Sequence, residues 1–189
     1  MDTAKLAKIA GRRPRDVCVR ADLGPDALAL LDDGVEPEAF LRRLLQRECF
    51  PDATKYLAHA LPGREAVWWG VVTVRSHLGE EAPPASAEVL SAAERWVRQP
   101  TDENRHAAMR AAEADMGTPA SMVGVAAFMS GGSIAPIGLE AVPPPEHITG
   151  TMVASAVILS AVSPDPLQAP AKYRTYLARG IEIAKGPAK

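Results

Sequence analysis

Cysteine is scarce in this chain, aromatic side chains are few, and neither sign of charge dominates. Each shortage removes a class of protein. Two cysteines in 189 residues, Cys18 and Cys49, are too few for a disulfide framework and lie outside any metal-ligand spacing. They read as buried thiols of a reducing compartment. The formal net charge of -2 and the pI near 6.1 give no general pull toward nucleic acid or an acidic membrane surface. The longest apolar runs, 122–129 and 152–162, are too short for a bilayer and contain Gly, Ala or Ser, so they read as close helix contacts. No membrane insertion is expected. Arg12-Arg13 has the start of a twin-arginine export signal, but Pro14-Arg15-Asp16 follows where an apolar stretch is needed. A cytoplasmic location is therefore expected.

Catalytic signatures are missing as well. The histidines at 59, 77, 106 and 147 are scattered without ligand spacing. Glu103 and His106 form one Glu-x-x-His unit, which places two ligands on one helical face, but a di-iron site needs a second unit and further glutamates. Ser133 after Gly131-Gly132 lacks the Gly-x-Ser-x-Gly of a nucleophile elbow, and the same glycines lack the Gly-Lys-Ser/Thr of a P-loop. No catalytic residue, metal ligand or cofactor is assigned.

What the chain does have is Ala, Val and Leu, which supply most of the 47% apolar fraction while aromatics supply 5%. Such a composition favours closely packed helices. Its organising stretch is 61–75, Leu-Pro-Gly-Arg-Glu-Ala-Val-Trp-Trp-Gly-Val-Val-Thr-Val-Arg, where two of the three tryptophans meet an apolar run. Pro62 stands where proline tolerates a helix start, and Arg64 and Glu65 supply a polar first turn. Val67, Val71, Val74 and Leu78 make one stripe; Trp68, Val72 and Arg75 make another. The β-branched residues also suit a strand, but the helical neighbours favour a central helix.

Around it the chain reads as short helices joined at proline-marked corners. Gly24-Pro25 and Glu36-Pro37 open two helices, Pro51 a third, and Pro100 closes one whose inner face is Val89, Leu90, Ala93, Trp96 and Val97. Ser86 is a candidate cap for that helix, Thr101 for the next, and Gly117 a stop. A small-residue helix follows Thr118-Pro119; a buried helix spans 146–162; a last one runs from about Pro170 to Lys185. Between them, 130–145 is Gly/Pro-rich and aperiodic, a long loop of the kind that is often functional. The fold class is all-α: a single domain over 21–189, either a multi-helix bundle or a curved stack of antiparallel helix pairs. Residues 1–20, carrying Lys5, Lys8, Arg12, Arg13, Arg15 and Arg20, read as a basic arm that is solvated and partly ordered.

Ala-Leu-Pro-Gly-Arg-Glu-Ala-Val-Trp-Trp, then Ala-Ala-Phe-Met-Ser-Gly-Gly-Ser-Ile-Ala-Pro, then Val-Pro-Pro-Pro and a final Tyr-Leu-Ala-Arg-Gly-Ile-Glu-Ile-Ala-Lys-Gly resemble an uncharacterised bacterial family, a domain of unknown function. The likeness spans nearly the whole chain, and departs from the family at Met129, where relatives often carry an aromatic. It implies association with type VI secretion, in an accessory or effector-loading role, and brings no catalytic residues with it.

The expected function is thus a non-enzymatic protein-binding accessory, an adaptor or chaperone for a secretion effector, whose partner is another protein and not nucleic acid. Its expected surface comprises Arg64, Glu65, Trp68, Trp69, Gly131, Gly132 and Ser133, with an exposed tryptophan as anchor. The alternative is a small-molecule or anion-binding protein with a pocket between the Trp68-Trp69 helix and the 130–145 loop. A third reading is a subunit that assembles through its small-residue helices.

Overall fold

The computed structural model describes residues 5–135 and 139–186, so the start of the basic arm and residues 136–138 of the long loop lie outside the described residues. The fold is an all-α bundle of ten helices, with no strand among the described residues. In chain order they are α1 (Pro14–Ala21), α2 (Pro25–Leu28), α3 (Pro37–Gln46), α4 (Phe50–Ala60), α5 (Gly63–Leu78), α6 (Pro84–Arg98), α7 (Asp102–Glu113), α8 (Pro119–Phe128), α9 (Ile148–Val162) and α10 (Ala169–Lys185). No single helix among the described residues is long and apolar enough to cross a membrane.

The Trp-Trp stretch is a helix, α5, and it is central: α6, α8, α9 and α10 all pack on it. Val67, Val71 and Val74 are fully buried, as one stripe of a covered helix should be. Trp69 is fully buried too, and its Nε1 donates to the Tyr176 carbonyl of α10 at 2.8 Å. Gly180 makes that approach possible, since a Cβ there would lie 2.7 Å from Trp69 Cε2 and from Leu57 Cδ2. The second central helix is α9, apolar on nearly every side and packed by α4, α5, α8 and α10.

Helix punctuation follows the local chemistry. Proline occupies the first turn of α1, α2, α3, α4, α6, α8 and α10, where no N–H is missed. Thr101 caps α7 by accepting from the Asn104 amide, and Thr118 forms a capping box with Ser121. Ser86 is not a cap. Helix α6 begins earlier, at Pro84, which leaves Ser86 inside the first turn, buried and donating to Asp115 at 2.6 Å. The described part of the basic arm is docked: Leu6 and Ile9 are fully buried, the Lys8 amide bonds the Ala184 carbonyl, and Lys8 Nζ meets Glu65 at 2.7 Å. Helix α1 follows, burying Val17, Cys18 and Ala21 against α4.

Candidate functional site

The long loop leaves α8 at Met129 and returns at α9, and a single buried side chain shapes its first half. Arg105 of α7 is 3% exposed. Its Nη1 donates to the Phe128 carbonyl at 2.8 Å, its Nη2 to the Ser133 carbonyl at 2.9 Å, and its Nε to Asp102 at 3.0 Å. Phe128 is the last residue of α8, so the guanidinium satisfies a carbonyl that the helix leaves without an internal partner and complements the negative helix end. The same guanidinium sits 4.7 Å over the Phe128 ring, and His106 packs edge-on against that ring. Gly132 lies over the Arg105–Asp102 pair with φ +66, and a Cβ there would fall 2.7 Å from Arg105 Nη2. Only glycine fits both demands. Ser133 Oγ then accepts from the Ala135 and Val142 amides, and the Ile134 amide bonds the Val142 carbonyl at 2.8 Å, closing the loop on itself.

Held this way, the loop forms one wall of a cleft of about 390 Å³. Met129, Ser130, Gly131 and Gly132 line it from one limb, and Pro143, Pro144, Pro145 and Glu146 from the other. Helix α4 contributes Ala58 and His59, and α1 with the segment before it contributes Arg20 and Arg12. The starts of two helices complete it, through Gly63 of α5 and Thr149 and Gly150 of α9. Packing around these starts is close: a Cβ on Gly63 would be 3.6 Å from Ser130 Cβ and 3.9 Å from Thr149 Cγ2, and one on Gly150 would collide with the His59 ring at 2.7 Å.

The cleft is cationic on the side formed by α1 and the segment before it. Arg12 Nε donates to the Ala60 carbonyl at the end of α4. Arg20 Nε is buried and makes no hydrogen bond, and neither arginine belongs to an ion pair among the described residues. His59 is driven down to a pKa of about 4 by burial first, and then by the charges of Arg20, His147 and Lys55. It is neutral at pH 7. Glu146 lies at the solvent-exposed rim. Among the described residues no group of three or more His, Cys, Asp or Glu side chains is placed to hold a metal ion.

The residues expected to act together from the sequence are divided by the fold. Gly131 and Gly132 line the cleft; Ser133 is not among its lining residues, its hydroxyl being used inside the loop and its carbonyl by Arg105 of α7. Arg64 is exposed and donates to the Val97 carbonyl at the end of α6, while Glu65 serves Lys8. Trp68 is half-buried against the core edge. Trp69 is the clearest departure from the expected surface, because its indole faces α10 and is wholly inside. The sequence pattern pointed to none of Arg12, Arg20, His59, Ser130 or Thr149 as binding residues. Arg12 and Arg20 stood out there as members of a basic arm.

A family model matches residues 40–184, about three quarters of the chain. The chain belongs to DUF6931, a family of unknown function. The DUF6931 match begins within α3, so His59, Gly63 and both limbs of the loop fall inside it, whereas Arg12 and Arg20 precede it. No curated protein and no solved structure matches the chain.

Proposed function

We propose that this chain is a non-enzymatic protein-binding accessory: an adaptor or chaperone of the cytoplasm that holds an effector or subunit of type VI secretion. The observation that supports the reading best is the loop. Arg105 and Ser133 brace the loop at Ser133–Ala135 and Val142, and Leu139 and Val142 stand 68% and 46% exposed next to the Pro143-Pro144-Pro145 run. Ordering apolar side chains outside the core gains nothing for folding, and pre-ordering lowers the entropy lost when a partner covers them. The docking surface is therefore centred on this loop, with Gly131 and Gly132 at its base, rather than on Trp69. The secretion assignment draws on the resemblance of the motifs described above. The test is an affinity capture of the tagged chain at native expression, compared with a Leu139→Ser/Val142→Ser variant of unchanged melting temperature. A secretion component retained by the wild-type chain and lost by the variant is expected. Equal retention by both would refute this surface.

The cleft favours a second reading, the binding of a small anion, on the separate ground that its two arginines belong to no ion pair among the described residues.

A further inference from the structure

We propose that the cleft between the loop, the start of α5 and the start of α9 binds a small dianionic oxyanion, a phosphate ester or a dicarboxylate, held by Arg12 and Arg20. The inference rests on the anion-binding reading above and stands apart from the partner-protein reading, since it concerns the α1 side of the cleft and its helix starts and not the exposed loop.

Three independent features converge on the same space. The first is the state of Arg20. Arg20 lines the cleft with no ion-pair partner among the described residues, and its Nε, removed from solvent without a hydrogen bond, carries a cost that an anion beside the guanidinium would offset through its charge. Arg12 lines the cleft from the same side, its Nε bonded to the Ala60 carbonyl and no acid paired with it among the described residues. Planar guanidinium groups match carboxylate and phosphate oxygens in paired geometry. The second feature is the pair of helix starts. Like most helices of this fold, α5 and α9 have no side-chain cap; what distinguishes their starts is that both open onto the one cleft. Their first-turn N–H groups, next to Gly63, Thr149 and Gly150, are donors of the kind that anions occupy at helix N-termini. The third is access: glycines at 63, 131, 132 and 150 leave backbone, not side chain, on the lining, and about 390 Å³ accommodates a small metabolite.

Charge selects the ligand class. Two guanidinium groups and two helix starts, each start equivalent to about half a positive charge, exceed the half-negative end of α4, which Arg12 meets at the Ala60 carbonyl, together with Glu146, which is exposed and screened by water. His59, neutral and lying across Gly150, adds a ring nitrogen without adding charge. A dianion balances this set; a neutral sugar or base does not.

The test uses the full chain at pH 7 and constant ionic strength, with inorganic phosphate or malonate replacing chloride, and acetate as the monoanionic control, read by thermal shift and calorimetry. A saturating rise in melting temperature with phosphate or malonate is expected, since a ligand of the native state stabilises it. Response to phosphate alone assigns a phosphate ester, and response to malonate alone a dicarboxylate. Arg20→Met is expected to weaken binding roughly tenfold or more, the effect of losing one charge-assisted contact, while its melting temperature without anion stays level or rises. Arg12→Gln, at an exposed position, should weaken binding as well, and Glu146→Gln should tighten it. An adventitious cleft predicts the opposite. If neither dianion acts beyond chloride and acetate, or if folded Arg12→Gln and Arg20→Met proteins bind as the wild type does, the proposal is overturned.

Discussion

Replacing Arg105 by lysine keeps the charge and removes the fork. The guanidinium spans two carbonyls, Phe128 and Ser133, in addition to Asp102; an ammonium on a shorter stem reaches one of the three at most. Hydrogen bonds from a charged donor contribute about 1.5–3 kcal/mol each, and an orphaned buried carbonyl adds its own desolvation cost. The ion pair counts for little, because the Asp102 side chain is 77% exposed and such pairs contribute about 0–1 kcal/mol. The contact with the Phe128 ring adds about 0.5–2 kcal/mol. Allowing one bond for the lysine, Arg105→Lys should destabilise by about 2–4 kcal/mol. Urea denaturation should show this as a lower midpoint with an unchanged slope. Hydrogen exchange should show where the loss is felt first. The Ile134 and Val142 amides, bonded within the loop, should lose protection ahead of the α5 and α9 cores, because Arg105 joins the loop to α7. A loss below about 1 kcal/mol with loop protection unchanged would mean that Arg105 does not brace the loop, and the argument for a pre-ordered docking surface would fall with it.

Trp69→Phe removes the bond to Tyr176 and opens space beside Gly180, so a loss of about 2–3 kcal/mol is expected by denaturation. Gly180→Ala should itself cost about 1–3 kcal/mol, since its methyl would meet Trp69 and Leu57, and the double variant should cost less than the sum. Thr73→Val should hold or raise the melting temperature, because Thr73 Oγ1 is buried with no hydrogen-bond partner. For His59 the folded pKa of about 4 lies below the ordinary 6.5, so between these values the unfolded chain binds more protons. Stability from this group is complete above pH 6.5 and is lost as the pH falls toward 4; His59→Gln should flatten that part of the stability profile measured by thermal unfolding across pH 4–7.

Much of the architecture was readable from local chemistry. Prolines and Thr caps act within one turn, so α3, α4, α7, α8 and α10 could be placed from the sequence, and the stripe Val67, Val71, Val74 announced α5. The inner face of α10, Tyr173, Tyr176, Leu177, Gly180, Ile181 and Ala184, was legible for the same reason: burial of one face imposes a period of 3.6. Helix α1 escaped notice because Arg13, Arg15 and Arg20 surround its few apolar residues and give it the look of a solvated arm.

Local pattern alone thus determined the all-α class, most helix boundaries and which side of each amphipathic helix is inside, because these depend on neighbours three or four residues apart. It did not decide the side on which Trp69 is covered, nor that Arg105 of a polar helix is buried beneath a loop 28 residues away. Nor could it bring Arg12 and Arg20 to His59, Gly63 and Gly150. Those outcomes depend on which helices are neighbours in space, and no property of a single turn carries that information.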